Sequence, residues 1–594
     1  MKMSFLNYKM KGWTHAVTSV FIASLMSMTR ARASKVTTTN GDIEGFSVVI
    51  DDVTVDIYLG IPFANPPLGQ LRFRAPQPVS NWTGVKETKT LPNSCIQTVD
   101  GYFDRFEGVE MWNPNTDISE DCLYLNLWVP RLNKTNFATT LIWIYGGSFT
   151  FGTSTLDVYD GRYLAAKQGV IVASMQYRMG VLGFLFTDTD DAPGNMGLLD
   201  QQLSIKWVYD NIENFGGDSS KITLIGESAG ASSISHHMLA NSSWPYFNNA
   251  ILLSGTSLCP WAHDSPDILL EHIKSFANIM NCSNSDKKEI VKCLRNKDAL
   301  DLEANQWEIN YNKNIGTFGP TTDGIFLTDT PSILLNSGNL KSADILLGNT
   351  KDEGEYWLIY WYPDIFPNIS NPAPLNSSQF LHTMREATGC NEDDLDCEGV
   401  LFTYNASNIP STRGSYRDIL DDIVGDITFK CDVRSFASHH ASQSHGRTYM
   451  YSFEYRHSAN PWPSWMGSLH GYEIEPVFGQ PFNPMLKYSD LDREVSAKVM
   501  DYFTTFANTG NLDSFGNEWP EFTTNSEQHI VFSQDGTTHI REGYRTKECS
   551  FWEYLMPKLK QKMAENKTTS GAIFHSLSTI IVCVIVIISA IIIR

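Results

Sequence analysis

Positive charge is what this chain has least of. Its 45 lysines and arginines face 66 aspartates and glutamates, a formal net charge of −21 over 594 residues. A surface of that sign repels a phosphate backbone, which argues against nucleic acid as a partner and favours attraction of cations, although many of the carboxylates serve only solubility. Also lacking, between residues 35 and 555, are internal repeats, low-complexity tracts and linkers rich in Gly, Ser or Pro. Length alone suggests several domains, yet nothing there marks a boundary, and the 42% apolar content can fill one large α/β core.

The two ends differ from the middle. Lys2, Lys9 and Lys11, an apolar stretch over residues 13–28 and then Ala31-Arg32-Ala33 predict a secretory signal over residues 1–33, cleaved after Ala33, with the main domain at 34–555. Sequons at Asn81, Asn133, Asn241, Asn281, Asn368, Asn376, Asn405 and Asn566 fit that route, and ten cysteines in an exported chain imply disulfides. Residues 556–570, rich in Lys, read as a polar stalk. At its end come the small residues Ser570-Gly571-Ala572, then a partly polar spacer and an apolar tail over 580–593 broken only by Cys583, Ser589 and Ala590. That order predicts replacement of 571–594 by a glycosylphosphatidylinositol lipid and a place on the outer face of the plasma membrane. A transmembrane helix from about residue 573 is the alternative, although no basic stop sequence follows the tail.

Strand-like runs at Leu141-Ile-Trp-Ile-Tyr145, Gly169-Val-Ile-Val-Ala-Ser174, Ile222-Thr-Leu-Ile225, Ala250-Ile-Leu-Leu253 and Ile345-Leu-Leu347 alternate with helix-like stretches such as residues 195–215. Such alternation predicts a large, mostly parallel sheet with helices on both faces. One strand runs into Gly226-Glu227-Ser228-Ala229-Gly230 and then a helix-forming run. Strand, Gly-x-Ser-x-Gly turn and helix together are the setting of a serine nucleophile. The glycines permit a sharp reversal, and the helix N-terminus favours the negative charge of acyl transfer.

Such a nucleophile needs a base, an acid that orients the base, and donors for the oxyanion. In chain order Ser, acid, His, the acid is Glu353, just after Ile345-Leu-Leu347 and before Gly354, with Asp352 as its neighbour and competitor. His470, in Gly467-Ser-Leu-His470-Gly471, is placed as the base, whereas His236 and His237 lie on the helix behind Ser228. Gly147 and Ser148, in the turn after Leu141-Ile-Trp-Ile-Tyr145, and Ala229 offer N–H groups for the oxyanion.

Residues 215–230 and Glu120-Asp-Cys122-Leu-Tyr-Leu-Asn resemble the two signatures of the type-B carboxylesterase/cholinesterase family, and similarity runs from about residue 36 to 558. Longer stretches around Glu110-Met-Trp112, Cys259-Pro-Trp261 and Trp465-Met-Gly-Ser-Leu-His470 are similar to its acetylcholinesterase branch. The resemblance implies an α/β-hydrolase fold with a deep active-site gorge, Ser228, Glu353 and His470 as catalytic triad, and Ser254 and Asp426 as support for the acid. It implies choline esters as substrates, with Trp112, Glu227, Tyr356, Trp357, Asp100 and Trp261 in the binding site; a trimethylammonium group accepts no hydrogen bond and is held by aromatic faces and nearby carboxylates. Neither metal nor other cofactor is implied.

It further implies disulfides Cys95–Cys122, Cys282–Cys293 and Cys431–Cys549, a free Cys259, and a monomer or noncovalent homodimer. Cys390 and Cys397 fall outside that pattern and are candidates for an additional bridge. Rim tyrosines of the family align with Thr98 and Thr150, its acyl-pocket phenylalanines with Asn314 and Gly316, and Trp307 is a candidate rim aromatic. A butyrylcholinesterase-like or general carboxylesterase and a neuroligin-like adhesion ectodomain are the rival readings; retention of all three triad residues argues against the last.

Overall fold

The computed structural model describes residues 31–565 except 104, 133–136, 310–316, 367–369, 371–373, 392–393, 407–414 and 444–445. Residues 1–30, the tail 571–594 with Cys583, the acyl-pocket positions Asn314 and Gly316, and sequons Asn133, Asn368 and Asn566 lie outside the described residues.

A sheet of 13 strands forms the centre. Its strands are β1 (Ala31–Thr37), β2 (Asp42–Ile50), β3 (Val53–Pro62), β4 (Val85–Glu87), β5 (Tyr124–Pro130), β6 (Ala138–Ile144), β7 (Ile171–Met175), β8 (Gly217–Glu227), β9 (Asn249–Leu253), β10 (Ile345–Thr350), β11 (Thr448–Phe453), β12 (His529–Phe532) and β13 (Thr538–Arg541). They lie in the order 1-2-3-5-7-6-8-9-10-11-12-13, with β4 beside β2. From β7 through β12 every neighbouring pair is parallel, and the outer pairs β1–β2, β2–β3, β3–β5, β5–β7 and β12–β13 are antiparallel. All residues of β6, β7, β10 and β11 are buried, as strands of a parallel sheet covered on both sides must be.

The helices used below are α1 (Met196–Asn211), α2 (Ala229–Leu239), α3 (Ala299–Gln306), α4 (Glu355–Trp361), α5 (Ser415–Gly425) and α6 (Asp490–Thr509). Helices α2 and α6 each pack on β6, β8 and β9. The helix expected over 195–215 is α1 followed by a tighter turn at Ile212–Phe215, and Asn195 stands ahead of it in the left-handed region at φ 56°.

Apolar side chains form two clusters, one around the sheet and one built from the chain on either side of α4 and α5 together with Trp462, Leu469 and Tyr472. Trp112 and Trp357 pack against both. Cys95–Cys122, Cys282–Cys293 and Cys431–Cys549 are bonded, Cys390–Cys397 adds a fourth bridge, and Cys259 is free and buried. Sequons Asn81, Asn241, Asn281, Asn376 and Asn405 are all exposed. Residues 556–565 are helical, with Met556 buried and Leu559 against the second cluster, so the stretch read as a stalk starts as a turn docked on the body.

Candidate active site

Strand β8 ends at Glu227 and α2 begins at Ala229; Ser228 makes the whole turn alone, at φ 56° and ψ −122°. A non-glycine residue is held there only against strain, by its surroundings. The Ser228 N–H donates to the Leu253 carbonyl of β9 at 2.8 Å, and its carbonyl accepts from Ser232 N at 2.9 Å. Glycine is needed on both sides because α2 presses onto β6: a Cβ on Gly226 would stand 2.7 Å, and one on Gly230 2.0 Å, from the Ile144 carbonyl oxygen.

His470 reaches this elbow from the loop after β11. Its Nδ1 pairs with Glu353 Oε2 at 2.5 Å, and its Nε2 stands 3.1 Å from Oε1 of Glu227, the residue before the serine. Among the described residues no hydrogen bond joins Ser228 Oγ to Nε2, a contact that commonly tightens only with substrate bound. Glu353 is fully buried and accepts at Oε1 from Ser254 Oγ (2.5 Å), Thr350 N (2.8 Å) and Asn349 Nδ2 (3.3 Å). Asp352 points elsewhere and accepts from Ser468 N at 2.7 Å. His236 and His237 bond to the Ala262 carbonyl, Ser243 and Gln201 behind α2.

Burial alone would raise the Glu353 carboxyl, but the His470 charge and hydrogen bond, then Ser254, hold it below its ordinary range. Burial pulls the His470 imidazole down, and Glu227 followed by Glu353 outweighs it, so the ring is held above its ordinary range. Glu227 itself is raised by burial, with His470 opposing and Glu353 adding. The imidazole is thereby a stronger base than free histidine, oriented from one side and flanked by negative charge on the other.

The turn after β6 lies directly on the elbow. A Cβ on Gly146 would fall 2.8 Å from Ser228 Cβ and 2.8 Å from Glu227 Oε2. Gly147 (φ 106°), Ser148 (φ 53°) and Phe149 (φ 59°) follow with left-handed backbone, which turns successive N–H groups to one side. Among the described residues the N–H groups of Gly147, Ser148 and Ala229 donate to no acceptor in the protein. Ser148 is buried.

On the other side of His470 lies Gly471, and a Cβ there would be 3.5 Å from Glu227 Oε1 and 3.7 Å from Trp112 Cη2. The half-buried Trp112 indole and the carboxylate next to the serine therefore both border Gly471, with Tyr472 set edge-on to the indole at 5.9 Å. Asp100 is tied to the same segment: its N–H donates to Asn113 Oδ1 and its carbonyl accepts from Asn113 Nδ2, both at 2.9 Å. Its Oδ2 accepts from Tyr360 (2.8 Å), one turn along α4 from Tyr356. Trp357 and Phe429 lie 5.9 and 4.5 Å from the His470 ring, and Trp261 joins Phe429 to Phe149 of the oxyanion turn.

Not all of the anticipated residues meet. Asp426 pairs with Arg545 and Tyr404 and makes no bond to Glu353 or Ser254; it follows Gly425, where a Cβ would come 3.2 Å from that of Glu353. Thr150 is buried and folds back to the Gly147 carbonyl (3.3 Å), while exposed Thr98 and the Trp307 indole share Glu303 Oε1. Burial pushes that α3 carboxyl up to about 7 against its four donors. Residues that sequence reasoning passed over include Phe429, Tyr360 and Glu473. The last is a buried carboxylate reached by Ser254 Oγ (3.3 Å) and Tyr451 (3.4 Å) and raised by burial, Glu227 and Glu353. Tyr360 alone carried a local signal, its i+4 spacing from Tyr356.

A lone strained serine between strand and helix, above a parallel sheet, defines the serine hydrolases of α/β-hydrolase fold. Within that class the chain belongs to the carboxylesterase family, whose profile matches residues 32–552. It is 42% identical over 531 residues to a cholinesterase of Mus musculus, covering 88% of this chain and 87% of the other. Identity is 40% over 537 residues to an acetylcholinesterase of Bungarus fasciatus, with 89% and 88% covered. It is 40% over 539 residues to acetylcholinesterase 1 of Caenorhabditis briggsae, with 86% of each chain covered.

Proposed function

We propose that the protein hydrolyses choline esters, acetylcholine foremost, to choline and a carboxylic acid through an acyl-enzyme on Ser228. The observation that carries this reading is the closeness of Glu227 and Trp112 to Gly471, where a Cβ would stand 3.5 Å from the carboxylate and 3.7 Å from the indole, so that both border the loop of the histidine. In this reading the quaternary ammonium of the ester lies on Trp112 while its carbonyl is presented to Ser228.

In this mechanism Ser228 Oγ attacks the carbonyl carbon as His470 Nε2 takes its proton, and Glu353 holds the imidazolium through Nδ1. The oxyanion is received by the N–H groups of Gly147, Ser148 and Ala229. His470 then returns the proton to the departing choline oxygen. Water attacks the acyl-serine with the same base, and the collapse regenerates Ser228. Trp261, Phe429 and Trp357 bound the acyl side.

Its names and coverage among the relatives support the cholinesterase reading over a general carboxylesterase. Turnover of acetyl-, propionyl- and butyrylcholine beside their uncharged dimethylbutyl isosteres tests it. Choline esters are expected to exceed the isosteres in kcat/KM, with acetyl first; parity with the isosteres would mark a general carboxylesterase, and a butyryl maximum the roomier relative. We further propose that the enzyme lies outside the cell on a glycosylphosphatidylinositol anchor, a reading supported by the terminal sequences and exposed sequons, and that it is a monomer or noncovalent dimer.

A further inference from the structure

Helix α4 follows the triad acid at once and carries Tyr356, Trp357 and Tyr360, yet it has no capping side chain of its own: its N-cap is Gly354. The first N–H groups of a helix need outside acceptors. Those of Gly354 and Glu355 both donate to one atom, Oδ1 of Asp421, at 2.7 and 2.8 Å. Asp421 belongs to α5, so the cap is supplied from another helix. The same helix grips α4 again through Arg417 Nε and Glu355 Oε1 at 3.1 Å, with the Arg417 guanidinium laid over Trp465.

Backbone packing leaves the junction no slack. A Cβ on Gly354 would stand 2.3 Å from the Asp421 carbonyl oxygen and 2.8 Å from Gly425 N, and Gly425 in turn abuts Glu353. Any shift of Asp421 relative to Gly354 therefore moves the residue before it, Glu353, and the helix after it. The first sets the 2.5 Å contact to His470; the second sets Tyr360 against Asp100 and Trp357 against His470.

We propose that Asp421 is a positioning residue for both halves of the reaction: through a single oxygen it fixes the turn that aligns Glu353 with His470 and the α4 aromatic wall with the cation site. This rests on the triad reading above. Since both hydrogen bonds end on one oxygen, an amide oxygen at the same place can accept them, whereas a carboxylate one methylene further out cannot.

The test compares Asp421→Ala, Asp421→Asn and Asp421→Glu in the full-length enzyme, with active sites counted by a phosphonylating reagent so that losses of folded protein drop out. Per counted site, Asp421→Ala is expected to lower kcat about tenfold or more for choline and neutral esters alike, and to raise KM for the choline ester selectively. Asp421→Asn is expected to recover most of both effects, and Asp421→Glu to lose kcat despite its charge. The Asn and Glu variants decide the matter if the Ala variant does not accumulate. Wild-type kcat and KM per site in Asp421→Ala, or a Glu variant that works where Asn fails, would overturn the proposal and leave Asp421 a folding or charge residue. A Ser228→Ala control that retained turnover would instead bring down the triad reading itself.

Discussion

Trp112 carries the distinction between a cation site and mere packing. Trp112→Ala is expected to raise KM for acetylcholine over that for the uncharged isostere by about 5- to 30-fold, equivalent to roughly 1–2 kcal/mol of cation–π attraction; equal rises would make it a packing residue. Ser148, at φ 53°, bears a side chain where glycine is the unstrained choice, and its N–H donates regardless. Ser148→Gly relieves about 1 kcal/mol of left-handed strain while giving back about half of that in chain entropy, so a small rise in Tm is expected. With the side chain gone, carbamates and organophosphates are expected to inactivate faster, the more so the bulkier the group; rates unchanged across such a series would show that the hydroxyl points away. Glu227 is the largest of the influences that raise the His470 imidazole. In Glu227→Gln that negative charge is gone, the imidazolium is less favoured, and the neutral base persists to lower pH. The acid limb of kcat/KM for a neutral ester is expected to move to lower pH, and a shift upward would show that Glu227 does not act on His470.

At the level of the elements, strand identity was legible because buried parallel strands are apolar runs, but strand ends were not. Strand β10 continues past Ile345-Leu-Leu347 to Thr350, and that polar extension carries Asn349 and the Thr350 N–H that bind Glu353. The elbow was legible in full, since Gly226, Ser228 and Gly230 announce a local backbone need. Gly230→Ala is expected to cost about 3 kcal/mol, the upper end of overpacking losses, because its Cβ would stand 2.0 Å from the Ile144 carbonyl oxygen; an unchanged denaturation midpoint would mean α2 can retreat from β6. Asp421, Phe429 and Glu473 were not legible. A polar or aromatic residue in a helical stretch looks the same whether it faces solvent or a partner tens of residues away, and Asp421 meets Gly354 across 67 positions.

For the whole molecule, the sheet and the smaller cluster around α4 and α5 meet where Trp112 and Trp357 touch both, so the site lies on the seam of two cores. Length alone suggested several domains while composition allowed one large α/β core; the division of the interior into two apolar clusters came only with the structure. The proposed anchor belongs to this scale too. Phosphatidylinositol-specific phospholipase C is expected to release the enzyme from membranes, and an enzyme that stays bound with residues 580–593 still present would be a transmembrane protein instead. Choline-ester hydrolysis at Ser228 is checked by acetylcholine turnover in matched amounts of folded wild-type and Ser228→Ala protein. Brisk release of choline by the first and a loss of at least about 10⁴-fold in the second are expected. A Ser228→Ala enzyme within about tenfold of wild type would contradict hydrolysis at Ser228.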